Sequence, residues 1–260
     1  MEEQTTESQS TKQSYFSSTK IAFIAMFATI AAVLYILNFS IPFAFPGFLE
    51  FKFSDVPILI GAFTLGPVPA AAIVVVEILI KLVIKGSTTF FVGELSDLIT
   101  SCTFAVTAGI IYKKHRTFKG ALVAMAVGTV AEVAVAILFN WLVLVPFYVQ
   151  VFFGGNWQPL VGMMKPLFPS CTKETFYAFY LWVSVLPFNL LRCIVASLIT
   201  TLVYKHISRL INSVNHKIYG KQQANGGEAT VAKINVAAII VGAVVVALLV
   251  MFALLRYFVF

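Results

Sequence analysis

Apolar runs of near-helical length alternate with short polar breaks along most of the chain. The runs are Ile21 to Leu37, Val56 to Leu65, Ala70 to Ile84, Phe91 to Tyr112, Ala121 to Pro146, Phe176 to Tyr204 and Ile234 to Leu255. A helix that spans a bilayer needs about 20 mostly apolar residues, with a range of roughly 17–25. Val56 to Leu65 is too short alone, and Gly66-Pro67-Val68-Pro69 separates it from Ala70. One kinked helix competes here with two helices joined by a tight turn. Proline cannot extend the helical ladder, and the residue before it avoids the α region. The pattern therefore predicts two helices, the first starting near Ser54, and seven in all.

Composition agrees with this reading. The chain of 260 residues is 60% hydrophobic and 11% charged. Soluble domains carry about 25% charged residues, so an all-α integral membrane protein is expected. The net charge of +7 sits in breaks between apolar runs, which favours topology over a nucleic-acid partner. Lys113, Lys114, Arg116 and Lys119 follow the fourth run, and Lys205, Arg209, Lys217 and Lys221 follow the sixth. With two helices in Val56 to Ile84, both clusters share a side with Lys12 and Lys20. The positive-inside rule makes that side cytoplasmic, with the N-terminus. Residues 1–19 read as a polar, disordered tail, 20–212 as a six-helix domain, 213–233 as a linker and 234–260 as one additional helix.

Polar groups within apolar spans are costly and usually face a bundle interior or a cavity. Glu77 and Lys81 are four apart and can pair along one helix face. Glu94 and Asp97 open the fourth helix, where the macrodipole favours acids. Glu132 stands mid-span with no partner that spacing can name. Ser54 and Asp55 suit the cap and first turn of the second helix. Asp97, Asn140, Asn189 and Arg192 all fall in the outer half, and Asn189 and Arg192 share a face behind Pro187. This donor-rich set suits a planar ligand with carbonyls and ring nitrogens; helix–helix hydrogen bonding is the competing role.

Chemistry of other kinds finds little support. His115, His206 and His216 fall in polar breaks, and no Walker A, H-E-x-x-H or G-x-S-x-G pattern occurs. Cys102, Cys171 and Cys193 form no C-x-x-C or metal-spaced cluster and read as free thiols. Neither an enzyme, a metal site nor a cofactor is expected.

Four segments carry a family resemblance: "FSDVPILIGAFTLGPVPA", "GSTTFFVGELSDL", "FNWLVLVPFY" and "PFNLLRCIVASLITTLVYKHIS". Together, and in this order, they closely resemble the riboflavin-specific S component of energy-coupling factor (ECF) transporters. The resemblance runs from about Ile21 to Arg209. It implies a six-helix subunit of a prokaryotic cell membrane that captures a vitamin from outside. The vitamin would pass through a membrane T component and two ATPases, with riboflavin as transported substrate. By the family motifs, Asn140, Asn189 and Arg192 would contact the ligand. Arg192 stands where the family pattern has Lys, and Asp97 where it commonly has Asn; the latter acid could pair with Arg192. Both changes motivate a second reading, the same scaffold with another flavin or vitamin. An ion-coupled transporter using Glu77, Asp97 and Glu132, or a non-transporting assembly protein, are further alternatives.

The first helix carries Ala25, Ala28 and Ala32 at spacings that give a stripe of low bulk. Such stripes let helices approach closely in bilayers. Packing against this protein's own helices competes with docking of a partner, and the family resemblance implies docking of the T component.

Overall fold

The computed structural model describes residues 18–203. The expected tail before Ser18, the Lys205 cluster, the linker 213–233 and the helix expected over 234–255 lie outside the described residues. The chain runs through α1 (Ser18–Ile36), a hairpin of two-residue strands β1 (Phe39–Ser40) and β2 (Glu50–Phe51), α2 (Asp55–Leu65), α3 (Pro67–Lys85) and α4 (Val92–Lys114). It continues through α5 (Phe118–Phe152), a short α6 (Gln158–Met164) and α7 (Ala178–Val203). Helices α1, α3, α4, α5 and α7 are long and apolar enough to cross a membrane. The hairpin is the departure from an all-helical fold, pairing Phe39 with Phe51 and Ser40 with Glu50.

The break at Gly66 divides two helices. Gly66 has φ 96°, a conformation open to glycine at little cost, and Pro67 then begins α3, where its missing N–H has no ladder partner to lose. Gly61 in α2 abuts Ile73 in α3, so the two form an antiparallel hairpin. Gly109 of α4 packs on Pro67 so closely that a Cβ there would lie 3.2 Å from the proline Cα. The turn also borders Lys113 and Arg116, which places it at the basic end of α4. All eleven residues of α2 are buried, with α1, α3 and α4 packed round it. At 1.5 Å per residue α2 is about 16 Å long, near half the hydrocarbon thickness.

One helix runs further than the apolar pattern alone indicates. Helix α5 passes through Pro146 and ends at Phe152, and α6 lies in the stretch between the fifth and sixth apolar runs. Pro146 removes a donor, and the backbone answers with wide π-helical turns at Asn140–Leu144 and Tyr148–Phe152. The same widening spans Ala178–Val185 just ahead of Pro187. Wide turns of this kind are frequent at functional sites.

The alanine stripe is divided by the structure. Ile24, Phe27, Ala28, Ala31, Ala32 and Tyr35 form the buried face of α1. Ala28 and Ala32 are 0% and 1% exposed, so they are not a free docking face; they let α1 pack closely on α3. Ala25 alone of the three is exposed, beside Ala22 and Thr29.

Apolar packing fills most of the interior, yet charges cross it. The Arg192 guanidinium contacts carboxylates from three other helices. Its Nε lies 3.4 Å from Asp55 of α2, Nη1 lies 3.9 Å from Asp97 of α4, and Nη2 donates to Glu132 of α5. Cys193 Sγ donates to the second Glu132 oxygen at 3.3 Å, and Ser101 Oγ donates to Asp55 at 3.0 Å. Glu132 thus has the partner that spacing could not name. Asp55 is corrected from a capping residue to a member of this cluster, and Ser54 makes no side-chain cap bond. Glu77 and Lys81 do not pair. Lys81 reaches Glu94 instead, while Glu77 is fully buried with neither carboxylate oxygen bonded among the described residues. Removing one partner from a buried ion pair costs about 3–5 kcal/mol, because the other charge stays behind. Glu132→Leu should therefore lower the melting temperature of the purified protein in detergent markedly, and Glu132→Gln less. A melting curve for Glu132→Leu that overlays the native one would show that Arg192 does not need this partner.

Candidate functional site

A cavity of about 330 Å³ opens at the end of the bundle opposite the Gly66 turn. Its walls come from α1, the first loop, α3, α4, α5, α6 and α7. Ligand pockets for small molecules span about 300–1,000 Å³, so the space suits a compact vitamin-sized ligand. One side is aromatic and apolar. Phe176 stacks on Tyr180 with centroids 5.3 Å apart, and Phe48 meets Tyr180 at 5.9 Å. Tyr148, Phe153, Leu160 and Met163 extend that wall. The other side is polar and is built mainly by the first turns of α4.

Asp97, Asn140, Asn189 and Arg192, drawn from three helices, all line this cavity. The π-helical turns help place the two asparagines. Asn140 heads the first wide turn of α5, donates Nδ2 to the Ala136 carbonyl at 2.8 Å, and accepts the Tyr180 hydroxyl at 2.6 Å. Asn189 follows Pro187 and donates Nδ2 to the Val185 carbonyl at 2.8 Å. Each amide is thereby held in one orientation, with hydrogen-bonding capacity to spare: two N–H donors and two acceptor lone pairs are available per side chain. Arg192 lines the wall, but its guanidinium is engaged by Asp55, Glu132 and Asp97. Its primary structural part is to order the carboxylates behind the cavity.

Asp97 is the exposed member of that cluster, with 30% of its side chain open on the cavity wall. It pairs with Lys52 at 3.4 Å and accepts the Tyr35 hydroxyl. Lys52 in turn lies 4.4 Å over the Tyr35 ring, a geometry that favours cation–π attraction. Its partner is thus first Lys52 and only distantly Arg192. Lys52 is 3% exposed, although it belongs to a loop. Phe51 and Phe188 pack edge to face at 6.3 Å, and Phe45 meets Phe188 at 5.3 Å; this aromatic contact seats the first loop on α7.

Sequence reasoning missed Tyr35, Lys52, Tyr148 and Tyr180, and read Glu94 only as an acid at the start of the fourth helix. Lys52 had a usable signal: a lysine between two phenylalanines, three residues ahead of an acid, reads as a buried loop cation once a helix start at Asp55 is accepted. Tyr180 carried none, since aromatic residues recur throughout the apolar runs.

The family model described as "ECF transporter, substrate-specific component" matches residues 19–204. A riboflavin transporter of Staphylococcus aureus, RibU, is 28% identical over 191 residues, covering 74% of this chain and 91% of that protein. A riboflavin transporter of Bacillus subtilis, FmnP, is 28% identical over 187 residues, covering 71% and 90%. A solved structure, described as that of the S component of a bacterial ECF transporter, superposes with a TM-score of 0.56 at 28% identity, covering 74% of this chain and 96% of that one. The helical bundle with its end-on cavity, and a match spanning all the described helices, lead to one conclusion: the chain belongs to the family of substrate-specific components of ECF transporters.

Proposed function

We propose that this chain is a riboflavin-binding S component that delivers its ligand through a T component and two ATPases. The observation that carries the ligand reading is the cavity that unites Asn140 and Asn189 with an aromatic wall. A flavin ring is planar and apolar on its faces, with carbonyls and nitrogens on its edge. Aromatic side chains suit the faces, and oriented amides suit the edge. The similarity to riboflavin transporters supports the same ligand. Asp97 offers a carboxylate acceptor to the hydroxyls of the ribityl chain, and Arg192 holds that carboxylate's neighbours in place.

Truncating an asparagine would leave a polar edge of the bound flavin unsatisfied, a loss of about 1–3 kcal/mol, or roughly 5- to 150-fold in affinity. Asn140→Ala and Asn189→Ala should both show it when riboflavin fluorescence quenching is titrated. Native affinity in both variants would remove these residues from the site.

The cavity end is read as external and the Gly66 turn as cytoplasmic, because Lys113 and Arg116 flank that turn. In a background without the native cysteines, a membrane-impermeant thiol reagent should label a cysteine at Asn156 from outside and spare one at Arg116. The reverse pattern would invert the orientation.

For the T component, the exposed face of α1 that includes Ala22, Ala25 and Thr29 offers low bulk. Ala25→Trp is expected to abolish uptake in cells while riboflavin binding persists. Ala28→Trp, set in the packed face, should instead lower stability and binding together. Full uptake by Ala25→Trp would place the docking face elsewhere.

A further inference from the structure

We infer that Glu94 is a specificity residue that makes this cavity select an unphosphorylated flavin over its 5′-phosphate ester; the inference rests on the flavin reading above. Three donors converge on the Glu94 carboxylate, two of them, Lys81 and Thr89, from the cavity wall. The Lys81 ammonium donates to one oxygen, and the hydroxyls of Ser87 and Thr89 donate to the other, each at 2.9 Å. An ammonium and two hydroxyls around one point, at the start of a long helix, are what a phosphate group would require. Here the chain's own carboxylate already occupies that cradle. Glu94 is 4% exposed, so it is not free to swing into water.

The rest of the wall offers a phosphate no alternative. Among the described residues, the cations that line the cavity are Lys81 and Arg192. Lys81 is committed to Glu94, and Arg192 to Asp55, Glu132 and Asp97. Three carboxylates line the same space: Glu50, Glu94 and Asp97. Lys52 lies behind the wall and serves Asp97. Lys85 donates to Asn38, which itself donates to Glu50. The conclusion holds for either direction of the ligand. At the apolar end a phosphate meets Phe153, Leu160 and Met163 and no cation; at the polar end it meets carboxylates. A neutral ribityl hydroxyl meets neither penalty, since a carboxylate accepts its hydrogen bond.

The test is a paired titration of the native protein in detergent with riboflavin and with riboflavin 5′-phosphate, read by flavin fluorescence quenching and checked by calorimetry. The phosphate ester should bind at least about 30-fold more weakly, because a buried anion without a partner and beside like charge is strongly disfavoured. Glu94→Gln should narrow that ratio by about tenfold or more, since Lys81 is released to the phosphate. Should Glu94→Gln fail to fold, Glu94→Ala, which removes the carboxylate and leaves Lys81, Ser87 and Thr89 as donors, serves the same comparison and should move the ratio in the same direction. Affinities within threefold of each other in the native chain would overturn the inference and mean that the phosphate stays outside in water. An unchanged ratio in the folded variant would overturn the role of Glu94. Binding of neither flavin would instead overturn the ligand reading on which the inference stands.

Discussion

A guanidinium buried inside a membrane bundle is a demanding object, and Arg192 is the one on which this architecture turns. Its charge cannot be left unpaired at such depth, and it presents N–H groups in a rigid fork. The fork is met by Asp55, Asp97 and Glu132, one from each of three helices. Helices in lipid gain little from apolar contact alone, because the surrounding tails are equally apolar. A shared ion cluster therefore gives α2, α4, α5 and α7 a fixed relation that side-chain packing could otherwise satisfy in several ways. Such specificity through buried charge is established in some proteins and absent in others; here the geometry itself, three carboxylates on one cation, leaves few alternative arrangements.

The cluster also shapes the cavity. Asp97 stands at its edge, with one side toward Lys52 and Tyr35 and the other toward open space. Behind it, Asp55 and Glu132 pair with Arg192, which reaches the wall with its guanidinium already engaged. The polar wall is thus acceptor-rich although its charge is internally balanced in part. The aromatic wall is set by different forces: the wide turns around Pro146 and Pro187 rotate successive side chains of α5 and α7, bringing Asn140 to Tyr180 and holding Asn189 against the Val185 carbonyl. Binding would then require little reorganisation of either wall, which is how a preorganised pocket limits the cost of association.

Much of this was legible before any coordinates. Hydrophobic run length gave the membrane class and the long helices. The Gly66-Pro67 break gave the α2–α3 turn, since both residues act locally on the backbone. Asn140, Asn189, Arg192 and Asp97 stood out because polar residues in apolar spans are few. What periodicity could not provide was partnership across distance. Glu77 and Lys81 are well spaced to pair, yet Lys81 finds Glu94 across the turn between α3 and α4. Asp55 looked like a cap because a cap is a local device, whereas its partner lies in α7. Ala28 and Ala32 showed small size but not direction, and the face of α1 that they occupy is decided by α3.

The charge and proline at the start of α2 follow from that helix's length. A helix of eleven residues ends well short of a bilayer's thickness, so its first turn lies inside the bundle rather than at the interface. The preceding chain must then descend into the protein, and Phe51, Lys52 and Ser54 are buried accordingly. Backbone that is neither helix nor closed sheet is tolerated at membrane depth only where protein or a cavity surrounds it. The hairpin of β1 and β2, the aromatic contacts to Phe188 and the Lys52–Asp97 pair supply that surrounding. A full-length α2 would fill the space that the first loop and the cavity share. The short helix, the buried loop lysine and the ligand-sized opening are thus consequences of one choice of length, with Asp55 at its head positioned to meet Arg192.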